Sequence, residues 1–144
     1  HNKKKVILVD HNSYEQSVIG LNEAEILEII DHHNISNIGT TTPINFRNMP
    51  VGSTNTIIYL MYKENNVKIP KDMAGLMLSG ILSDTLILNS PTTTKIDKDA
   101  VLKHSYSDNS SPVLWLQNSP VHFHSEGVRQ YLLQEYIDFR LPIS

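Results

Sequence analysis

The chain has 144 residues, 40% of them hydrophobic and 19% charged, with a formal net charge of −3. This balance excludes an intrinsically disordered chain, and the lack of a basic surplus weighs against a nucleic-acid partner. Cysteine is absent, which excludes disulfides, thiolate zinc sites and thiol nucleophiles and is compatible with a reducing cytoplasm.

The N-terminal HNKKKVILVD places only four apolar residues between its lysines and Asp10, too few for a signal peptide. No apolar run approaches the roughly 18 residues of a membrane span. Position 1 is not methionine, so the expectation is a fragment or a processed chain. Val6 to Val9 is apolar without alternation, which predicts a strand buried on both faces, as in a parallel sheet. A looser segment punctuated by Gly20 follows. Ile26, Leu27, Ile29 and Ile30 predict a second strand ending at Asp31, with a helix over Ala24 to Ile30 as the competing reading. TTPINFRNMP, bounded by Pro43 and Pro50, predicts a third, edge-like strand. VGSTNTIIYLMYKEN predicts a buried helix with Ser53 or Thr54 at its N-cap. Pro70 and Asp72 open a second helix, in which Met73, Leu76, Met77, Gly80 and Ile81 share a face. Strands followed by buried helices imply an α/β layered domain.

After Lys103 the composition changes. Residues 1–103 hold nine lysines and residues 104–144 none. The expected division is therefore a catalytic-type domain over 1–103 and a divergent tail over 104–144, with a short amphipathic helix in SEGVRQYLLQEYIDF. A shifted reading frame, a joined foreign segment or a divergent end would each produce such a tail.

Two of the expected strands end in acids. Asp10 is followed by His11, and Asp31 by His32 and His33. Side chains at the carboxyl ends of parallel strands converge on a ligand crevice, so the two clusters can face one site. Asp84 interrupts the apolar stretch GILSDTLIL, and burying a lone carboxylate is costly unless it is paired or binds a metal. Aspartate and histidine together suit Mn²⁺, Mg²⁺, Zn²⁺ or iron, and the excess of carboxylates favours the harder ions. The plainer alternatives stay open. His11 can be a loop residue, Asp84 can cap a turn, and Ser53 and Thr54 can be helix caps rather than phosphate ligands.

VILVDHN, IIDHHN, PVGSTNTIIYLMYKEN and AGLMLSGILSDTLILNSPTTT, in this order, resemble the DHH phosphoesterase superfamily and, more narrowly, its manganese-dependent family II inorganic pyrophosphatases. The spacing agrees, with 22 positions from Asp10 to His32 and 52 from His32 to Asp84. The resemblance covers about residues 4–103 and implies a parallel-sheet DHH-type domain with flanking helices, incomplete at its N-terminus. It implies hydrolysis of pyrophosphate to two phosphates by water activated between two metal ions, Mn²⁺ with Co²⁺ or Mg²⁺ as alternatives. It implies that Asp10, His32 and Asp84 are metal ligands, with Asp10 bridging the two ions. Asp31 would orient the histidines, His33 would contact a substrate phosphate, and His11 would lie at the edge of the site. It also implies a homodimer through an edge strand, for which TPINFRNMP is suited.

Two departures temper this. The family's His-x-x-x-Asp-x-Asp motif has no counterpart here, and no C-terminal domain carrying pyrophosphate-binding Lys and Arg follows. The expectation is weak activity for this chain alone. The competing readings are a DHH phosphoesterase for short oligonucleotides or polyphosphate, and a non-catalytic metal-binding or dimerisation module.

Overall fold

A computed structural model of the chain describes residues 3–104. The tail from 105 onward, including the expected helix over 125–139, lies outside the described residues.

Strands β1 (Lys5–Val9), β2 (Glu25–Asp31) and β3 (Asn45–Asn48) are followed by helices α1 (Thr54–Glu64), α2 (Lys71–Asp84) and α3 (Lys95–His104). The strands form one sheet in the order β1-β2-β3, and both pairings are parallel. The class is α/β, and the segment after Ala24 is strand rather than helix. Each return to the parallel direction is made by a loop. Residues 10–24 return β1 to β2 through Gly20, which takes a left-handed φ of 94° open to glycine at no steric cost, and a 3-10 turn at Leu21–Glu23.

β2 carries four large apolar residues without alternation, and a bulge explains how. Val6 pairs with Ile26 but Ile7 pairs with Glu28, leaving Leu27 as the extra residue. One inserted residue reverses the facing of everything beyond it. Ile26 and Ile29 therefore enter the same cluster with Leu8 and Leu21 on one face. Ile30 turns to the other face and packs with Val51 and Ile57. A third cluster joins the helices through Tyr59, Met77, Leu78, Ile81, Leu82, Ala100 and Val101. Ile58 of α1 packs against both of the last two clusters, so α1 links the sheet to α2 and α3.

Two expectations need correction. β1 is not buried on both faces, because Ile7 is 54% and Val9 46% exposed, and of β1 only Leu8 is buried. The apolar run reports a capacity for burial, and α1 covers the middle of the sheet rather than the β1 side. The buried face of α2 is rotated from the expected one. Gly75, Met77, Leu78, Ile81 and Leu82 are buried, while Met73 and Leu76 are exposed. α2 meets both α1 and α3, so the covered stripe follows the groove between two helices rather than the richest apolar line. α3 was not expected from the sequence at all.

Among the described residues, no helix is long and apolar enough to cross a membrane.

Candidate metal centre

The site forms where the two strand ends meet the start of α1. Asp10 directly follows β1, and its backbone N–H continues the ladder to Ile30 O at 2.9 Å. Its φ is 67°. A left-handed aspartate at a strand end carries backbone strain of the kind that collects at functional sites. The turn aims its carboxylate over the end of β2. There, Asp10 Oδ1 lies 3.4 Å from His32 Nε2 and accepts a hydrogen bond from Thr54 Oγ1 at 2.8 Å.

The polar stop at the end of β2 is organised by Asp31, whose side chain is wholly buried. Its Oδ1 accepts from the His32 N–H at 2.8 Å, the His33 N–H at 3.2 Å and the His33 ring Nδ1 at 2.7 Å. Its Oδ2 accepts from Asn12 Nδ2 at 2.5 Å. An aspartate that bonds the backbone just beyond itself makes a local turn that competes with further strand. That is why β2 stops here and presents two imidazoles. Burial works to raise the Asp31 carboxyl, but the bonds from Asn12, the His33 ring and the two backbone N–H groups outweigh it and hold the pKa below its ordinary value.

The two rings are fixed by different partners. His32 Nδ1 lies 2.9 Å from Val51 O. A carbonyl oxygen can only accept, so Nδ1 donates, and a neutral His32 presents a bare Nε2 lone pair towards Asp10. Two acceptors facing each other at that distance need a cation or a proton between them. This is the chemistry a divalent ion satisfies, and the donor set fits one. His33 gives its Nδ1 to Asp31, which leaves Nε2 at the outer end of a ring whose side chain is 54% exposed. One ligand atom each of Asp10, His32 and His33 lies within 4.8 Å of the others.

The remaining expected residues separate. Asp84 is exposed at the last position of α2 and accepts from Ser53 Oγ at 2.5 Å. Its carboxylate is not in the Asp10–His32–His33 cluster. It is tied to the same helix start, because Ser53 holds Asp84 while the adjacent Thr54 holds Asp10. Ser53 is also the N-cap of α1, accepting from the Asn55 N–H at 3.2 Å. His11 turns back into its own loop, with Nδ1 on Val9 O at 3.0 Å and Nε2 on Ser17 Oγ at 2.9 Å. Both ring nitrogens are thus engaged within the loop, and His11 is not in the Asp10–His32–His33 cluster. Asp31 reaches the His33 ring but only the backbone of His32, so it orients one imidazole rather than both.

The sequence reading missed Asn12. It is 3% exposed and spans from Asp31 to Asn34 O and the Ser36 N–H, stitching the two loops together. A polar residue two positions after a strand-ending acid gives no periodic signal that would have singled it out.

Residues 1–81 match the family described as the DHH family, N-terminal domain. The chain belongs to the DHH family. This DHH chain is 53% identical over 93 residues to a protein of Streptococcus thermophilus named "Probable manganese-dependent inorganic pyrophosphatase", and the match covers 65% of this chain and 30% of that protein. A Brevibacillus brevis protein of the same name is 57% identical over 93 residues, with the same two coverages. Among solved structures, one assigned to the family II inorganic pyrophosphatases of Methanococcus jannaschii matches with a TM-score of 0.67 and 41% identity, covering 71% of this chain and 36% of that one. The DHH chain thus spans about 30% of the length of the curated relatives it matches.

Proposed function

We propose that this DHH domain, residues 1–103, is part of a cytoplasmic manganese-dependent inorganic pyrophosphatase, and that its site hydrolyses pyrophosphate to two phosphates. The observation that carries the reading is the facing pair of His32 Nε2 and Asp10 Oδ1 at 3.4 Å, with the imidazole locked by Val51 O. The names of the relatives supply the metal and the substrate.

Asp10 and His32 would hold Mn²⁺, and Asp84 would join them from the end of α2. A divalent cation there supplies Lewis acidity, polarising a phosphoryl oxygen and lowering the pKa of water. The protein's own groups do the rest. Thr54 fixes the rotamer of Asp10, and Val51 O keeps a proton off His32 Nε2. Asp31 holds the His33 ring so that its outer nitrogen can meet a phosphate oxygen. β3 is an edge of the described sheet, and we propose it as the surface for a homodimer. Sedimentation across a wide concentration range tests this, and a monomer throughout would exclude it.

The activity test is phosphate release from pyrophosphate with Mn²⁺, beside a full-length relative. Slow, Mn²⁺-dependent release that falls about 100-fold or more in Asp10→Asn is the expected result. Release that is unchanged in Asp10→Asn, or release only from a short oligonucleotide, would exclude the reading, and a rate equal to the full-length relative's would show that this chain alone suffices for the reaction.

A further inference from the structure

Two carboxylates are completely buried among the described residues, Asp31 and Asp97. The site accounts for the first. Asp97 lies in the first turn of α3 and accepts four hydrogen bonds. Two come from Thr94, its N–H and its hydroxyl, both at 2.7 Å. These alone would cap the helix. The other two reach across to α1 and the turn before it, from the Gly52 N–H at 2.9 Å and Thr56 Oγ1 at 2.6 Å.

The Gly52 N–H and the Val51 carbonyl belong to one planar peptide group. One side of that plane donates to Asp97 Oδ2 and the other accepts from His32 Nδ1. An ionised acceptor on the N–H polarises the amide and strengthens its carbonyl as an acceptor. It also stops the plane from rotating, since the carbonyl cannot turn without tearing Gly52 from the carboxylate. The packing closes on the same peptide. A Cβ at Gly52 would lie 2.6 Å from Thr85 Cγ2 and 3.1 Å from Asp97 Oδ2.

We infer that Asp97 is a positioning residue for the metal centre, acting on His32 through the Val51–Gly52 peptide. The chain of contacts is carboxylate, peptide, imidazole, cation. It lengthens by one peptide the usual arrangement in which a carboxylate or carbonyl orients a metal-binding histidine. The inference rests on the reading of Asp10 and His32 as metal ligands. A plain helix cap would lower stability on removal but leave the His32 ring unaffected.

The test combines NMR and metal binding on the purified chain. Long-range ¹H–¹⁵N spectra at about pH 8, above the ordinary histidine pKa of ~6.5, report the ring tautomer of metal-free His32. Wild type should show the proton on Nδ1. Asp97→Asn should mix the two tautomers and weaken Mn²⁺ binding, followed by the EPR signal of free Mn²⁺, by about 10-fold or more. Thr56→Val removes a different bond to Asp97 and should leave the tautomer and the affinity within about 2-fold of wild type. Should Asp97→Asn fail to fold, Zn²⁺ titration of the unaltered protein decides instead. The Gly52 amide and the Asp97 carboxyl carbon should then shift in step with His32. A wild-type tautomer and affinity in folded Asp97→Asn, or a Gly52 amide that stays put while His32 moves, overturns the inference. Wild type that binds no Mn²⁺ while Asp97→Asn still disturbs the His32 tautomer removes the metal reading and keeps the positioning role.

Discussion

His32 and His33 leave the same turn yet answer to different partners, and that difference predicts different losses. His32 is oriented by a backbone carbonyl and faces Asp10; His33 is oriented by Asp31 and faces outward. His32→Gln should weaken Mn²⁺ binding by about 100-fold. His33→Gln should change it only a few-fold while slowing phosphate release, because on the proposed reading the outer ring nitrogen would meet the substrate. Comparable losses of metal affinity in both variants would instead make His33 a ligand, as its place in the cluster allows. Asp31 carries a pH dependence whose sign follows from its depressed carboxyl. The unfolded chain takes up the proton more readily than the folded one. The stabilisation is complete above the unfolded carboxylate pKa of ~3.9 and drains away as pH falls through the lower folded value. Thermal unfolding from neutrality to about pH 3 should show an acid limb that is flattened in Asp31→Asn. At neutral pH the same variant should cost roughly 3 kcal/mol, since an amide would set a donor against a donor in a buried site.

The elements divide into those a period announces and those only a contact can. The apolar runs of β1 and β2, the cap before α1 and the Pro–acid start of α2 were legible because each is a local preference. The exposure of Ile7 and Val9 was not, because burial depends on which layer lies over the sheet. The rotated face of α2 was hidden for the same reason. α3 was missed because only Ala100 and Val101 of its described apolar side chains are buried, too few to show a period. Thr94 and Asp97 were the available signal, a hydroxyl and an acid three apart at a helix start. Of the candidate cluster, Asp10, His32 and His33 stood out in the sequence as acids and imidazoles at strand ends. Val51 did not, since it contributes through its carbonyl and any residue there would supply one. The glycines make the same point. Gly52→Ala would press a methyl group onto Thr85 and Asp97, both fully buried, and should cost about 1–3 kcal/mol. Gly80→Ala would meet the end of the Asn55 side chain instead. That amide can rotate away, and alanine regains up to ~1 kcal/mol of helix propensity. Denaturant titration should therefore rank Gly52→Ala well below Gly80→Ala in stability. The reverse order would mean that the 51–56 segment is not held between α2 and α3.

At the scale of the molecule, the site is a meeting of ends. Asp10 follows β1, Asp31 to His33 close β2, Ser53 and Thr54 begin α1, and Asp84 ends α2. These elements fall into three apolar clusters joined in series, β2 linking the first two and α1 the last two. A cation held across the strand ends would therefore tie the sheet to the helices, and its binding energy would appear as folding energy. Ligand present at 100 times its Kd stabilises the native state by about 2.7 kcal/mol. For a domain of this size each kcal/mol raises the melting temperature by roughly 4–8 °C. Saturating Mn²⁺ should accordingly raise it by about 10–20 °C, and EDTA should reverse the gain. Asp10→Asn should abolish the increment. Arg47→Ala is the control. Its two bonds to Glu64, at 2.6 and 2.7 Å, tie β3 to the far end of α1, so its loss should shift the baseline and leave the increment intact. A full increment in Asp10→Asn would place the cation elsewhere on the molecule.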